Sequence, residues 1–477
     1  MKATALLKNG LWISYATFIT RIFAFGSSLV LARLLLPSDF GIIGIAYVFW
    51  SFFSLFIQDT AGAFIIYKGI EHPKYVNTAY TISLLVGIAL AVGVAASAPL
   101  VAMFFKEPTL TGILFVFAFN LILSSASYVY SSVMTRQMKY RAIANITLVN
   151  SITRLLCTTG AALLGFSYWS FVIGDTASWI VNCVLNRYYS KYDFRLQIDP
   201  EVRSEVQSFY FGTITSSFGL YTNFNIDNFA VGKLLGSTSL GYYNLAYQLT
   251  NAFSSIVGAI FNQLGMPVFA QLAHDKQENT LLKVVEQTTI LTAAICTLIF
   301  LVVDSQVVTF VFGAKWIPII NVIPGLLIFS YFRIINSSLF SMLVAKGRPD
   351  INAKVNLRIA PIAVVGFILG ANLGGIVGVS LAVALVLGIG WTIYWWWVAC
   401  QSLGWSFKKF IAPCFVPILL IIPGVLVSFS LPLLFRPFTF ILTYLICIRV
   451  FLAPYFFLYQ STAKQIAKRL ITVRIKD

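Results

Sequence analysis

Eight ionisable residues stand inside long apolar stretches of the chain. They are Arg21, Arg154, Arg333 and Arg449, and Asp59, Asp175, Asp227 and Asp304. A charge at the centre of a bilayer costs roughly 2.5–3.5 kcal/mol on insertion scales, so such groups face a polar cavity or one another. Each arginine falls near the middle of its stretch, and a set of guanidinium groups at that depth suits a diphosphate. The planar fork pairs with two oxygens at once and never gives up its proton. Arg21, Arg154 and Arg333 are the candidates to hold such a group. The alternative is an internal Arg–Asp pair that only assembles helices, which is the better reading for Arg449. The four aspartates are candidates for coupling to protons or sodium ions, or for charge pairing. Moving one charge through the membrane field is worth about 2.3 kcal/mol per 100 mV, enough to bias a two-state cycle. Asp227 and Asp304 also read as structural partners or as outer-interface groups.

The elements that position these residues follow from composition. Of 477 residues, 59% are hydrophobic and 10% charged, and the mean hydropathy is +0.86. A soluble chain carries about 25% charged residues, so a water-soluble enzyme and a disordered chain are both excluded. An apolar helix needs about 20 residues to cross the hydrocarbon core. Spans fall near 10–33, 40–67, 76–105, 110–134, 142–165 and 168–188, then near 206–232, 240–271, 282–312, 317–345, 354–372 and 374–398, with two more near 409–431 and 438–460. The fold class is thus an all-α polytopic membrane protein with about fourteen transmembrane helices.

The net charge of +17 tests that count. With the N-terminus inside, twenty-four of the 33 Lys and Arg fall in inner segments, five in outer loops and four within spans. This is the positive-inside pattern, and a missed helix would invert it downstream. Both termini are expected in the cytoplasm. The basic charge therefore tracks topology and does not point to nucleic acid. Arg21 and the lack of a small-residue cleavage site mark the first stretch as an uncleaved span. The six cysteines form no CxxC pair, and His72 and His274 lie in separate polar loops, so neither a disulfide framework nor a metal site is expected.

A repeat lies under the spans. Ala32–Tyr47 reads ARLLLPSDFGIIGIAY and Gly232–Tyr247 reads GKLLGSTSLGYYNLAY, with Leu34, Leu35, Gly41, Ala46 and Tyr47 each repeated 200 positions on. The cation is kept as Arg33 and Lys233. APLVAMFF (98–105) matches SQVVTFVF (305–312) at a shift of 207. An even number of spans per half keeps both halves in one orientation, so this is a parallel repeat about an axis along the membrane normal. Chance likeness between apolar helices is the alternative. The expected division is a six-helix lobe at 1–188, a cytoplasmic polar linker at 189–205, and a second six-helix lobe at 206–400. Two further helices at 401–460 and a basic cytoplasmic tail at 461–477 complete it.

The segments NIDNFAVGKLLGSTSLGYYNLAYQL (225–249), PVFAQL (267–272), FGAKW (312–316) and SMLVAKGRPDINAKVN (341–356), with LARLLLPSDFGI (31–42) and MTRQMKYRAIA (134–144), resemble the Wzx-type polysaccharide exporters. The likeness is greatest to the colanic-acid-exporter subgroup and covers about twelve spans. These exporters belong to the superfamily of multidrug (MATE) antiporters and lipid II flippases. The resemblance implies a V-shaped, two-lobed flippase in the bacterial inner membrane. It implies that a polyprenyl-pyrophosphate-linked oligosaccharide is turned across by alternating access for surface polysaccharide synthesis. Membrane lipids and other polysaccharide assembly proteins are the implied partners, and a monomer is expected. No cofactor is expected beyond a coupling H+ or Na+. A MATE-type multidrug antiporter is the alternative. A membrane polysaccharide polymerase is less favoured, because every outer loop is only a few residues long.

Lesser features have plainer readings. The absence of GxxxxGK[ST] leaves no ATP motor in this chain. YWWW (394–397), Trp12, Trp169, Trp316 and Trp405 read as an aromatic belt at the interfaces, in preference to sugar stacking. Asn120, Asn145, Asn150, Asn223, Asn225 and Asn336 either line a hydrophilic cavity or bond helices together.

Overall fold

Proline and glycine divide the apolar sequence into helices. The computed structural model describes residues 3–58, 60–260 and 274–451. Every regular element among them is helical. The first seven are α1 (Ala3–Leu34), α2 (Pro37–Ser54), α3 (Ala61–Lys68), α4 (Pro73–Phe105), α5 (Leu110–Arg136), α6 (Tyr140–Leu163) and α7 (Trp169–Ser190). A 61-residue helix, α8 (Pro200–Ile260), is broken in its middle at Gly236, where φ is 83°. After it come α9 (His274–Val302), α10 (Ser305–Val311), a 3-10 turn at Ala314–Asn321, α11 (Ile323–Ala345) and α12 (Pro349–Ala382). A π-helical stretch (Val383–Gly390) leads into α13 (Trp391–Leu403), followed by α14 (Phe407–Phe429) and α15 (Arg436–Phe451).

Nine stretches among the described residues are long and apolar enough to cross a membrane. One of them, Asp350–Leu403, is 54 residues long and turns at Gly374 and Gly375, so it holds two of the expected spans. The remaining expected spans coincide with helices too polar or too short for that test: α2 with α3, α7, and the two arms of α8. Each of the fourteen expected spans therefore has its helical segment. The ends of the eighth and fourteenth, and the basic tail, lie outside the described residues.

Contacts divide the chain into two compact units. The first comprises Met1–Ala246, Thr309–Ile319 and Ala363–Val379. The second comprises Tyr247–Val308, Ile320–Ile362 and Ser380–Asp477. Within the first, α4 and α5 approach closely through small residues. A Cβ on Gly87 would meet the Ser125 hydroxyl at 2.5 Å, and Ala91, Val94 and Ala98 bury against Leu114, Ala118 and Leu121. Small side chains let backbones approach where lipid supplies no hydrophobic drive between helices. The linker is strung along α4. Asn77 Oδ1, Thr81 Oγ1 and Thr78 Oγ1 accept the backbone N–H groups of Arg195, Gln197 and Asp199 at 3.1, 3.0 and 3.0 Å. Phe194 stacks on Tyr80 at 4.3 Å. These bonds account for three of the buried polar residues on α4.

The repeat is visible as reciprocal contact inside this first unit. A Cβ on Gly41 would lie 1.7 Å from the carbonyl oxygen of Ser237, and a Cβ on Gly241 would lie 1.7 Å from that of Pro37. Positions 37 and 41 are the 200-residue counterparts of 237 and 241, so each copy sets its glycine on the other's turn. The cations do the same. Arg33 Nε donates to the Val311 carbonyl at 2.8 Å, and Lys233 Nζ donates to the Phe104 carbonyl at 2.5 Å. Val311 and Phe104 are counterparts at the shift of 207. An approximate two-fold relation of this kind follows when two copies of one element share an orientation.

FGAKW has a structural task here. Lys315 Nζ donates to the carbonyls of Arg33 and Leu35 at 3.0 and 2.6 Å, and Trp316 Nε1 to that of Ala32 at 2.7 Å. Together they satisfy carbonyls that the end of α1 leaves open. Trp316 is fully buried, edge-on to Phe40 at 5.1 Å, and Trp395 and Trp396 are buried too. For these three the belt reading fails, because their indoles have protein neighbours on all sides. Asp39, also buried, accepts the Leu36 N–H at 2.9 Å and the Ser167 hydroxyl at 2.6 Å, which fixes the start of α2.

In the second unit α11 is the central helix. Tyr331 donates to the Cys414 carbonyl at 2.8 Å, and Asn336 joins Thr392 and Trp396 at 2.8 and 3.0 Å. Asn336 therefore bonds helices together. The side chains of Asn223 and Asn225 lie outside what is described.

Candidate functional site

Four helices of the first unit place polar side chains around one cavity of about 280 Å³. Each contributes residues at helical spacing: Tyr47 and Trp50 from α2, Phe117 and Asn120 from α5, Asn150 and Arg154 from α6, and Asp175, Ser178, Trp179 and Asn182 from α7. Residues three or four apart share a helix face, so each helix turns one polar or aromatic stripe to the same space.

Three of these residues close a ring of hydrogen bonds. Arg154 Nε donates to Asp175 Oδ1 at 2.6 Å, and Arg154 Nη2 to the Tyr47 hydroxyl at 2.9 Å. The Tyr47 hydroxyl donates in turn to Asp175 Oδ2 at 2.6 Å. The Asp175 side chain is 13% exposed and the whole Arg154 side chain 46%. A charge pair held this way places no net charge on the cavity wall.

Aromatic groups form another part of the wall. Tyr47 stacks on Phe117 at 5.9 Å, and Trp50 and Trp179 lie 5.6 Å apart at 47°. Asn120 Nδ2 donates to Thr176 at 3.0 Å, while Asn120 Oδ1 and Asn150 Oδ1 are buried and meet no hydrogen-bond donor among the described residues. Lower on α7, Asn182 Oδ1 accepts from Ser127 at 2.5 Å and also from Asn186.

Arg333, in the second unit, donates to the Tyr247 hydroxyl at 3.2 Å and to Asn251 Oδ1 at 3.0 Å, with Phe329 beside its guanidinium at 5.9 Å. Tyr247 is the repeat counterpart of Tyr47, so both copies of this tyrosine bond a span arginine. The arginines themselves come from non-equivalent helices.

The other charges are distributed more widely. Arg21 on α1 and Arg449 on α15 are exposed and make no hydrogen bond or ion pair among the described residues. Asp227 is 3% exposed and accepts from the Tyr243 hydroxyl at 2.8 Å. Asp304 precedes α10, accepts the Ser305 N–H at 2.5 Å and the Ser305 hydroxyl at 3.1 Å, and stands 3.8 Å from Arg436. Asp59 lies outside the described residues. Of the seven candidate residues, then, the structure brings together Arg154 and Asp175. Tyr47, Trp50, Trp179 and Asn182 join them without having been singled out by charge. Their i, i+3, i+4 and i+7 spacing around Asp175 and Tyr47 is the signal that would have found them.

Comparison with known proteins agrees with this architecture. The chain is 23% identical over 434 residues to the lipopolysaccharide biosynthesis protein WzxC of Escherichia coli K12, covering 89% of this chain and 87% of that protein. Its fold is similar to the inward closed conformation of the lipid II flippase MurJ, with a TM-score of 0.72, 15% identity, and coverage of 92% and 98%. It is also similar to an inward-facing multidrug resistance MATE transporter of the MOP superfamily, with a TM-score of 0.57, 12% identity, and coverage of 82% and 96%. The polysaccharide biosynthesis protein family matches residues 30–321, more than half of the length. By that match this multi-pass membrane protein, polar cavity and repeat included, belongs to the polysaccharide biosynthesis protein family.

Proposed function

We propose that the chain is a flippase that carries a polyprenyl-pyrophosphate-linked oligosaccharide across the bacterial inner membrane for surface polysaccharide synthesis. The observation that carries this reading is the polar, aromatic-walled cavity built by membrane-spanning helices of a polysaccharide biosynthesis family member. Its likeness to WzxC and to the fold of MurJ supports it. The role is transport, and the chain itself breaks no bond. Arg21, Arg154 and Arg333 remain the substrate-facing cations in this reading, with Arg21 and Arg333 toward the diphosphate. Asp59, Asp175, Asp227 and Asp304 remain the candidates for coupling to H+ or Na+ or for charge pairing, and Asp175 and Asp227 each accept a tyrosine hydroxyl. Both termini lie in the cytoplasm in this reading, and the chain works as a monomer beside the other assembly proteins.

Deleting the gene tests the proposal. Surface polymer should be lost while the lipid-linked repeat unit accumulates on the inner leaflet, and the wild-type gene should restore export. Arg333→Ala at equal protein level should lower export at least about tenfold, as expected where a charged substrate loses its partner. Intact polymer together with lost drug resistance would replace this reading with the multidrug antiporter.

A further inference from the structure

We propose that the cavity beside Arg154 seats one sugar ring of the transported unit and not its diphosphate. The proposal rests on the flippase reading and names which part of the substrate this site takes.

Charge argues first. The Arg154 guanidinium is held by Asp175 through Nε and by Tyr47 through Nη2, so the ion pair is closed within the wall. The other lining residues are neutral. A diphosphate would bring its negative charge beside the Asp175 carboxylate with no net positive charge to offset it.

Hydrogen-bond polarity argues next. Two amide oxygens at this cavity, Asn120 Oδ1 and Asn150 Oδ1, are buried with no donor among the described residues, and Asn120 is only 1% exposed. An unmet buried acceptor costs about 1–3 kcal/mol. An ionised phosphate has only acceptors and can relieve neither oxygen. A sugar hydroxyl donates, and a turn of each amide toward the cavity would let it relieve them.

Shape completes the case. Trp50 and Trp179 are both half-buried and tilted to each other at 47°. An indole face carries the negative lobe of its quadrupole, and the C–H face of a pyranose is the complement that settles on it. The volume of about 280 Å³ falls just below that of small-ligand sites, which begin at about 300 Å³. That admits a single ring, so the unit would present its sugars here one at a time.

The test uses the full chain in cells that make the polymer. Benzoylphenylalanine is placed at Ser178, and cells are labelled with a carbon-14 sugar precursor and with phosphorus-32. After illumination the chain is purified and treated with mild acid, which cleaves the bond between the sugar and the diphosphate. The expected result is carbon-14 retained on the chain and phosphorus-32 lost. Loss of carbon-14 on acid treatment, which marks attachment on the lipid side of the cleaved bond, overturns the proposal. So does capture of neither label in cells that still export. In parallel, Trp179→Ala should lower export about threefold to tenfold while Trp179→Phe keeps most of it, since a phenyl face still stacks. Wild-type export by Trp179→Ala would also overturn it. Polymer that persists on gene deletion would remove the flippase reading itself, a result separate from these.

Discussion

At the scale of single residues the Arg154–Asp175–Tyr47 ring governs the site. One hydroxyl both accepts from the guanidinium and donates to the carboxylate, so Tyr47→Phe deletes two bonds at once. The expected cost is about 1–3 kcal/mol, read as a lower thermal midpoint of the purified protein. Asp175→Asn leaves the guanidinium without its counter-charge. Full burial would make that loss about 3–5 kcal/mol, and the 46% exposure of Arg154 brings it lower. In a double-mutant cycle the Arg154 and Asp175 substitutions should be clearly non-additive, and additive losses would show that the pair is not coupled. The charges were legible in the sequence because charge in an apolar run is conspicuous. Their partner was not, since Arg154 and Asp175 stand 21 positions apart on different helices. The aromatic wall was missed for another reason: Trp50 and Trp179 sit inside spans where aromatic residues pass for ordinary packing.

At the scale of elements the crossing of the two repeat copies sets the tolerance for change. Gly41→Ala or Gly241→Ala drives a methyl into a backbone carbonyl at 1.7 Å, which no rotamer relieves. Either change should destabilise the protein by about 1–3 kcal/mol or more, measured as a lower thermal midpoint and lower membrane yield. Gly93→Ala, with open space around its Cβ, is the control and should be close to neutral. The repeat could be read from five identities at one shift, because identical residues were needed where the copies meet. Of the fourteen expected spans, α2, α7 and the arms of α8 are those that fall short of a membrane-crossing helix on length and hydropathy. These are the helices that carry Asp39, Asp175 and Asp227, and a helix that lines a polar site gives up apolar residues to do so. The break at Gly236 hides the boundary between two spans within a single 61-residue helix.

At the scale of the whole molecule the arrangement of cations predicts an orientation. Single cysteines at Lys191 and Lys106, each introduced into a cysteine-free chain, should label oppositely with a membrane-impermeant thiol reagent. Lys106→Cys should react in spheroplasts, and Lys191→Cys only after lysis, with at least about a tenfold difference in labelling. The same reactivity at both positions would reject the fourteen-span reading. Composition settled the class of the molecule because 10% charged residues cannot cover a soluble surface of this size. Which of the four mid-span arginines serves the cavity depended on how the helices pack, and no local pattern carries that.

The paired contacts of Arg33 and Lys233 have a consequence for how this fold drifts in sequence. Each cation reaches a main-chain oxygen, and every amino acid supplies the same one. The donor is therefore constrained to a long cationic side chain, as Arg in one copy and Lys in the other, while the acceptor position is free to change its side chain. Among relatives such a bond leaves a one-sided trace. A column of cations would persist with no column varying in step with it, so a search for co-varying partners would pass over a contact that the fold uses twice.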